Sequence, residues 1–97
     1  MISPFPKSEK SKEELFFRLL EHKNTVFYIC LGYTSDYPQA EELTQEVYLK
    51  VWEKIETIET GLNLKAWVLT LAKNKCLDHV RREKIRRSFL VDLIARK

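Results

Sequence analysis

Apolar residues recur at helical spacing along most of the chain. Leu15, Phe16, Leu19, Leu20, Val26, Phe27 and Cys30 keep steps compatible with one helical face, which predicts a first helix from residue 11 to about Tyr33. Ser11 is placed to cap it, with Glu14 three positions on completing a capping box. Residues 1–10 hold two of the three prolines and no periodicity, and are expected as a flexible tail. The segment "GYTSDYP" reads as a turn, with Asp36 as the next N-cap and Pro38 in the first helical turn, where a missing N–H costs little. Ala40, Leu43, Val47, Val51 and Ile55 then mark the buried stripe of a second helix over Pro38–Glu56. After a break at Gly61, the spacing of Leu69, Ala72, Cys76 and Val80 predicts a third helix over Lys65–Arg87. The pattern is all-α: a small bundle of three main helices, with room for a short fourth, over residues 11–87. Residues 88–97, "SFLVDLIARK", are expected as a helix extension or the start of a linker.

Composition agrees with one folded domain. The chain has 97 residues, only two glycines, and many Leu, Glu and Lys, which favour helix. No window reaches the apolar length of a membrane span, and the first ten residues lack the apolar segment of a signal peptide. Cys30 and Cys76 both fall in apolar helical patterns and are expected as reduced core residues of a cytoplasmic protein. With His22 and His79 they lack the close paired spacing of a structural metal site, so neither metal nor cofactor is expected. Asp78 and His79 are helical neighbours that do not face each other, and no glycine-rich phosphate loop is present. The residues do not point to an enzyme.

Charge changes the picture, because it is segregated. Residues 1–64 carry seven lysines and arginines against eleven acids, a net −4, whereas Lys65–Arg87 carries eight against two, a net +6. An acidic body followed by a basic helix suggests two partners of opposite sign. On the second helix Glu42, Gln45, Glu46, Leu49 and Glu53 share one stripe. Such a stripe is either an ordinary solvated face or a docking surface for a basic partner, with Leu49 supplying contact area. On the third helix Trp67, Thr70, Leu71, Asn74, Asp78 and Arg81 lie roughly opposite the expected core stripe, flanked by Lys73, Lys75, Arg82, Arg86 and Arg87. An indole and an amide bordered by cations suit nucleic acid: cations hold phosphates, the aromatic stacks or wedges, and the amide meets base edges. The plainer alternative makes Trp67 a core residue and the cations a response to the helix dipole.

The runs Ala40-Glu41-Glu42-Leu43-Thr44-Gln45-Glu46, Ala66-Trp67-Val68 and Ala72-Lys73-Asn74 with Asp78, Arg81 and Arg82 resemble the second conserved region of bacterial sigma factors. The similarity is strongest to the extracytoplasmic-function type and covers residues 14–87. It implies a helical bundle in which Glu42, Gln45, Glu46 and Leu49 dock on the clamp helices of the RNA polymerase β′ subunit. It also implies that Trp67, Lys73, Asn74, Lys75, Arg81 and Arg82 recognise and help melt the promoter minus-ten element; Arg86, from its charge and place on the helix, is expected to join them as a phosphate contact. The loop from Glu59 to Leu64 is where the family captures an extruded base of the non-template strand, a role falling here on Thr60, Gly61, Leu62 and Asn63.

Three positions depart from the family pattern: Glu42 replaces Asp, Thr70 replaces Arg, and the loop lacks a Phe-Arg-Gly-type run. A complete member also carries a second helical domain that reads the minus-thirty-five element. The present sequence shows no such region, so it is expected to be an excised domain or a natural fragment. The alternative functions are a protein-interaction module held by an anti-sigma factor and a generic duplex-DNA-binding helical domain.

Overall fold

A computed structural model of the chain describes residues 7–58 and 63–96. These residues form α1 (Lys7–Leu20), α2 (Lys23–Thr34), α3 (Tyr37–Lys54), a 3-10 turn (Ile55–Thr57) and α4 (Leu64–Ala95), with no strand among them. The fold is all-α. Helices α2, α3 and α4 pack on one another, while α1 lies against the 3-10 turn and touches α4.

The predicted first helix is two helices. After Leu20 the backbone tightens: Glu21 N–H donates to the Arg18 carbonyl at 3.3 Å and His22 N–H to the Leu19 carbonyl at 3.1 Å. The His22 carbonyl then accepts from Val26 N–H at 2.9 Å and opens α2. The apolar spacing does not reveal this break, because Leu19 and Val26 are both buried on either side of it. A distant residue stabilises it: the Tyr48 hydroxyl on α3 donates to the Leu19 carbonyl at 2.7 Å. That bond gives the Leu19 carbonyl a second donor beside His22 N–H, where the regular helical donor is missing. Ser11 is not an N-cap either, since α1 is already helical from Lys7. The preceding Lys-Ser-Glu-Lys run supplies adequate helix formers. Of the expected tail, residues 1–6 lie outside the described residues.

Aromatic contacts fasten α1 to the far end of α3. Phe16 meets Tyr48 and Trp52 edge to face, with ring centroids 6.1 and 5.2 Å apart. Lys12 lies 4.2 Å above the Trp52 ring and 3.2 Å from Glu56.

The turn between α2 and α3 follows its predicted chemistry. The Asp36 side chain accepts from Gln39 N–H at 3.2 Å, with Pro38 in the first turn. Ser35 closes α2 in the left-handed region at φ 54°, its N–H donating to the Leu31 carbonyl at 2.7 Å. All five residues of the predicted stripe are buried, four on α3 and Ile55 at the start of the 3-10 turn.

Helix α4 is longer than predicted and turned slightly from the predicted register. Its 32 residues span about 48 Å at 1.5 Å per residue. Its fully buried stripe is Val68, Ala72 and Cys76, one position off the predicted Leu69, which is only half-buried. Val80 is 37% exposed, because α4 is leaving the bundle there. Beyond it Ile85, Phe89, Val91 and Ile94 stand in solvent. Asn63 caps the start, its side chain accepting from Ala66 N–H at 3.1 Å.

The Tyr48–Leu19 bond gives a test. Burial pushes the Tyr48 hydroxyl from 10 up to about 12. The unfolded chain releases this proton near pH 10 and the folded chain keeps it until about 12, so the contribution is present below pH 10 and lost as pH rises through 12. Tyr48→Phe is expected to cost about 1–2 kcal/mol at neutral pH, lowering Tm by several degrees. Melts between pH 7 and 12 should show a shallower alkaline decline for Tyr48→Phe. The Cys76 thiol, likewise pushed up to about 12 by burial, leaves a background decline common to both proteins.

Candidate nucleic-acid interface and its neighbouring acidic stripe

Helix α3 spends one face on the core and leaves the predicted stripe outside. Glu42, Gln45 and Glu53 are exposed, and Glu46 is half-buried. Leu49 is 66% exposed, an apolar side chain set among polar ones. None of the five is needed to fill the core.

Helix α4 divides its residues by angle. Thr70, Asn74 and Arg81 point away from the bundle and are exposed. Lys73 is exposed on the α2 side, at a groove of about 550 Å³ lined also by Tyr28, Gly32, Leu69 and Thr70. Lys75 turns to the α3 side. Trp67 and Leu71, predicted to lie opposite the core, are half-buried and pack against it. The indole is therefore a shoulder of the core with a partly open edge.

The cations are not equivalent. Arg82 pairs with Asp78 at 2.7 Å and Arg86 with Glu83 at 3.4 Å, both along the helix and largely exposed. Lys73 and Arg81 make no ion pair among the described residues. Lys75 Nζ reaches across to Glu46 Oε1 at 3.2 Å. This contact joins the two surfaces that the sequence presents as separate. A cleft of about 250 Å³ runs between α3 and α4 at this place, with Glu42 and Glu46 on one wall and Lys75 and Arg82 on the other. Sequence reasoning missed the contact because it depends on the register of one helix against another. It also missed Val68, although the four-residue steps Val68–Ala72–Cys76 carried that signal.

Thr60, Gly61 and Leu62 of the expected base-capture loop lie outside the described residues. Asn63 stands at the loop's edge with its side-chain oxygen already committed to capping α4. Among the described residues no group of three or more His, Cys, Asp or Glu could hold a metal ion, and no helix is long and apolar enough to cross a membrane.

Comparison with known proteins assigns this helical bundle to a class. Residues 19–86 match the model of Sigma-70 region 2, and the chain belongs to that family. Over 67 residues it is 34% identical to "ECF RNA polymerase sigma factor SigL" of Mycobacterium tuberculosis, covering 68% of this chain and 38% of that protein. Over 70 residues it is 33% identical to "ECF RNA polymerase sigma factor SigK" of Mycobacterium bovis, covering 70% of this chain and 37% of that protein. The chain thus spans well under half the length of these curated relatives. No solved structure matches it.

The Lys75–Glu46 pair has side chains 25% and 41% exposed, so solvent screens it, and its contribution to stability is expected below about 1 kcal/mol. A double-mutant cycle with Lys75→Ala and Glu46→Ala, read by urea unfolding, should return a small favourable coupling with all three variants folded. A coupling near zero would show that the pair adds nothing measurable to stability.

Proposed function

We propose that this region 2 domain acts in transcription initiation as a non-enzymatic factor that joins core RNA polymerase to promoter DNA. In this reading Glu42, Gln45, Glu46 and Leu49 dock on the clamp helices of the β′ subunit. Helix α4 recognises and opens the minus-ten element, with Lys73, Lys75, Arg81, Arg82 and Arg86 on phosphates and Asn74 on a base edge. Trp67 supports the unpaired edge from its half-buried position. The loop from Thr60 to Asn63 receives an extruded base of the non-template strand; the Asn63 NH₂ group is the donor left over after capping. The observation that supports this reading is the ion pair between Lys75 and Glu46, which brings the acidic stripe of α3 edge to edge with the cationic helix α4. A partner that drew the Glu46 carboxylate to its own cation would release Lys75 toward phosphate, so the two binding events would assist each other.

A second reading is favoured by the exposed apolar side chains of α4 beyond residue 84. They offer contact area to an inhibitory protein such as an anti-sigma factor, and occupation of the neighbouring α3 stripe would exclude polymerase. A generic duplex-DNA binder is the third. Tighter binding to single-stranded non-template DNA than to duplex separates the first reading from the third.

Docking is tested with Gln45→Ala/Glu46→Ala. Both side chains lie outside the fully buried core, so the expected result is a nearly normal melt with clamp binding reduced at least tenfold. Unchanged affinity for the β′ clamp would remove the stripe from the interface.

The DNA surface is tested by salt dependence. Arg81→Gln should weaken binding about equally across sequences and flatten the log–log salt slope by roughly 0.7–0.9. Asn74→Ala should instead relax preference at one promoter position by about 1–3 kcal/mol and leave the slope nearly unchanged. Titrations from low to moderate salt on matched and mismatched promoter strands distinguish the two, and identical behaviour of both variants would overturn the division of roles.

A further inference from the structure

We propose that Cys30 and Cys76 form an oxidation site, at which a hydroperoxide converts the two thiols into an intramolecular disulfide that fastens α2 to α4. The two sulfurs lie 3.3 Å apart, one on each helix, 46 positions apart in sequence, and both residues are wholly buried. Both are free thiols, and neither takes part in the surfaces described above. The inference therefore stands independently of the polymerase and promoter roles.

Forming the bond requires the sulfurs to close by about 1.2 Å, to the usual length near 2.05 Å. The chemistry balances with hydrogen peroxide as the two-electron oxidant. Both thiols are equally buried and the product is the same whichever reacts first, so the balance holds with Cys30 as the first attacking sulfur. Its thiolate attacks one peroxide oxygen, the O–O bond breaks, and the departing hydroxide takes up the Cys30 proton as water. The resulting sulfenic acid is attacked by the Cys76 sulfur. The S–S bond forms, the S–O bond breaks, and the second hydroxide leaves as water with the Cys76 proton. Together the two thiols give up two electrons, and the peroxide is reduced to two waters.

Burial makes this reaction slow, because the oxidant reaches the sulfurs only when the seam opens locally. The groove between Ile29, Gly32, Leu69 and Lys73 follows the same α2–α4 seam. At Gly32 no heavy atom lies within 4 Å of the position a Cβ would occupy, so the groove is open there, although neither thiol lines it. Once formed, the bond closes a long loop and so penalises the unfolded state. It holds the basic helix on its platform.

The test uses the full chain. Reduced protein is treated with hydrogen peroxide and followed by intact mass, peptide mapping without reductant and thermal melting. The expected product has lost two hydrogens, links the Cys30 peptide to the Cys76 peptide within one chain, and melts about 10 °C or more higher. Dithiothreitol should reverse all three changes. Cys76→Ala, first checked for helicity, should instead gain oxygen at Cys30 and show no rise in Tm. The proposal is overturned if the unmodified sequence only gains oxygen, if the link joins two chains, or if the linked protein melts no higher than the reduced one.

Discussion

Close approach of α4 to α2 and α3 is the constraint on which the rest of the domain depends. The residues at the seam are small: Ala40 on α3, Cys30 and Val26 on α2, and Val68, Ala72 and Cys76 on α4, all fully buried. Small side chains let helix axes come near, and a narrow stripe then suffices to hold a helix in place. Helix α4 therefore gives only a three-residue strip to the innermost core over its first half. The rest of its circumference can carry cations and an amide. Wider apolar residues would have demanded a broader buried face and left less surface for partners.

The same closeness generates the contacts that tie the parts together. It brings Lys75 within ion-pairing distance of Glu46 and the two thiols to 3.3 Å. It also explains why the acidic stripe of α3 and the basic face of α4 adjoin. Opposite charges on neighbouring helices attract each other weakly in water, and the α3–α4 cleft leaves them hydrated enough to exchange partners. A surface built this way is stable alone and still available to others.

The helix break at Glu21–His22 solves a separate problem. A single straight helix from residue 7 to residue 34 could not both pack against the 3-10 end of α3 and lie along α4. Breaking it leaves the Leu19 carbonyl with a tighter 3-10-type donor, His22 N–H at 3.1 Å, and Tyr48 adds a second from α3. Phe16 packs edge to face on Tyr48 and Trp52 beside that bond. The buried Tyr48 hydroxyl needs the Leu19 carbonyl as its partner, since an unpaired hydroxyl there would carry the full cost of desolvation.

Much of this protein was legible in its order of residues. The stripe of α3, the Asp36 cap with Pro38, the all-α character and the exposed outer positions Asn74 and Arg81 all follow from local rules, because periodicity and capping act within a few residues. The linked motifs made the family legible as well, and the match over residues 19–86 agrees. What periodicity could not decide was where a continuous apolar pattern breaks. Leu19 and Val26 fit one helix or two equally well, and the choice fell to a hydroxyl 29 residues away from the Leu19 carbonyl. Nor could it decide which of two adjacent residues, Val68 or Leu69, turns fully inward, since both lie near the apolar face and the wedge between α2 and α3 selects between them. The meeting of Lys75 with Glu46 and of Cys30 with Cys76 also belonged to the tertiary structure alone. Sequence spacing sets which face of its own helix a side chain occupies, but only the packing of one helix on another sets what that face meets.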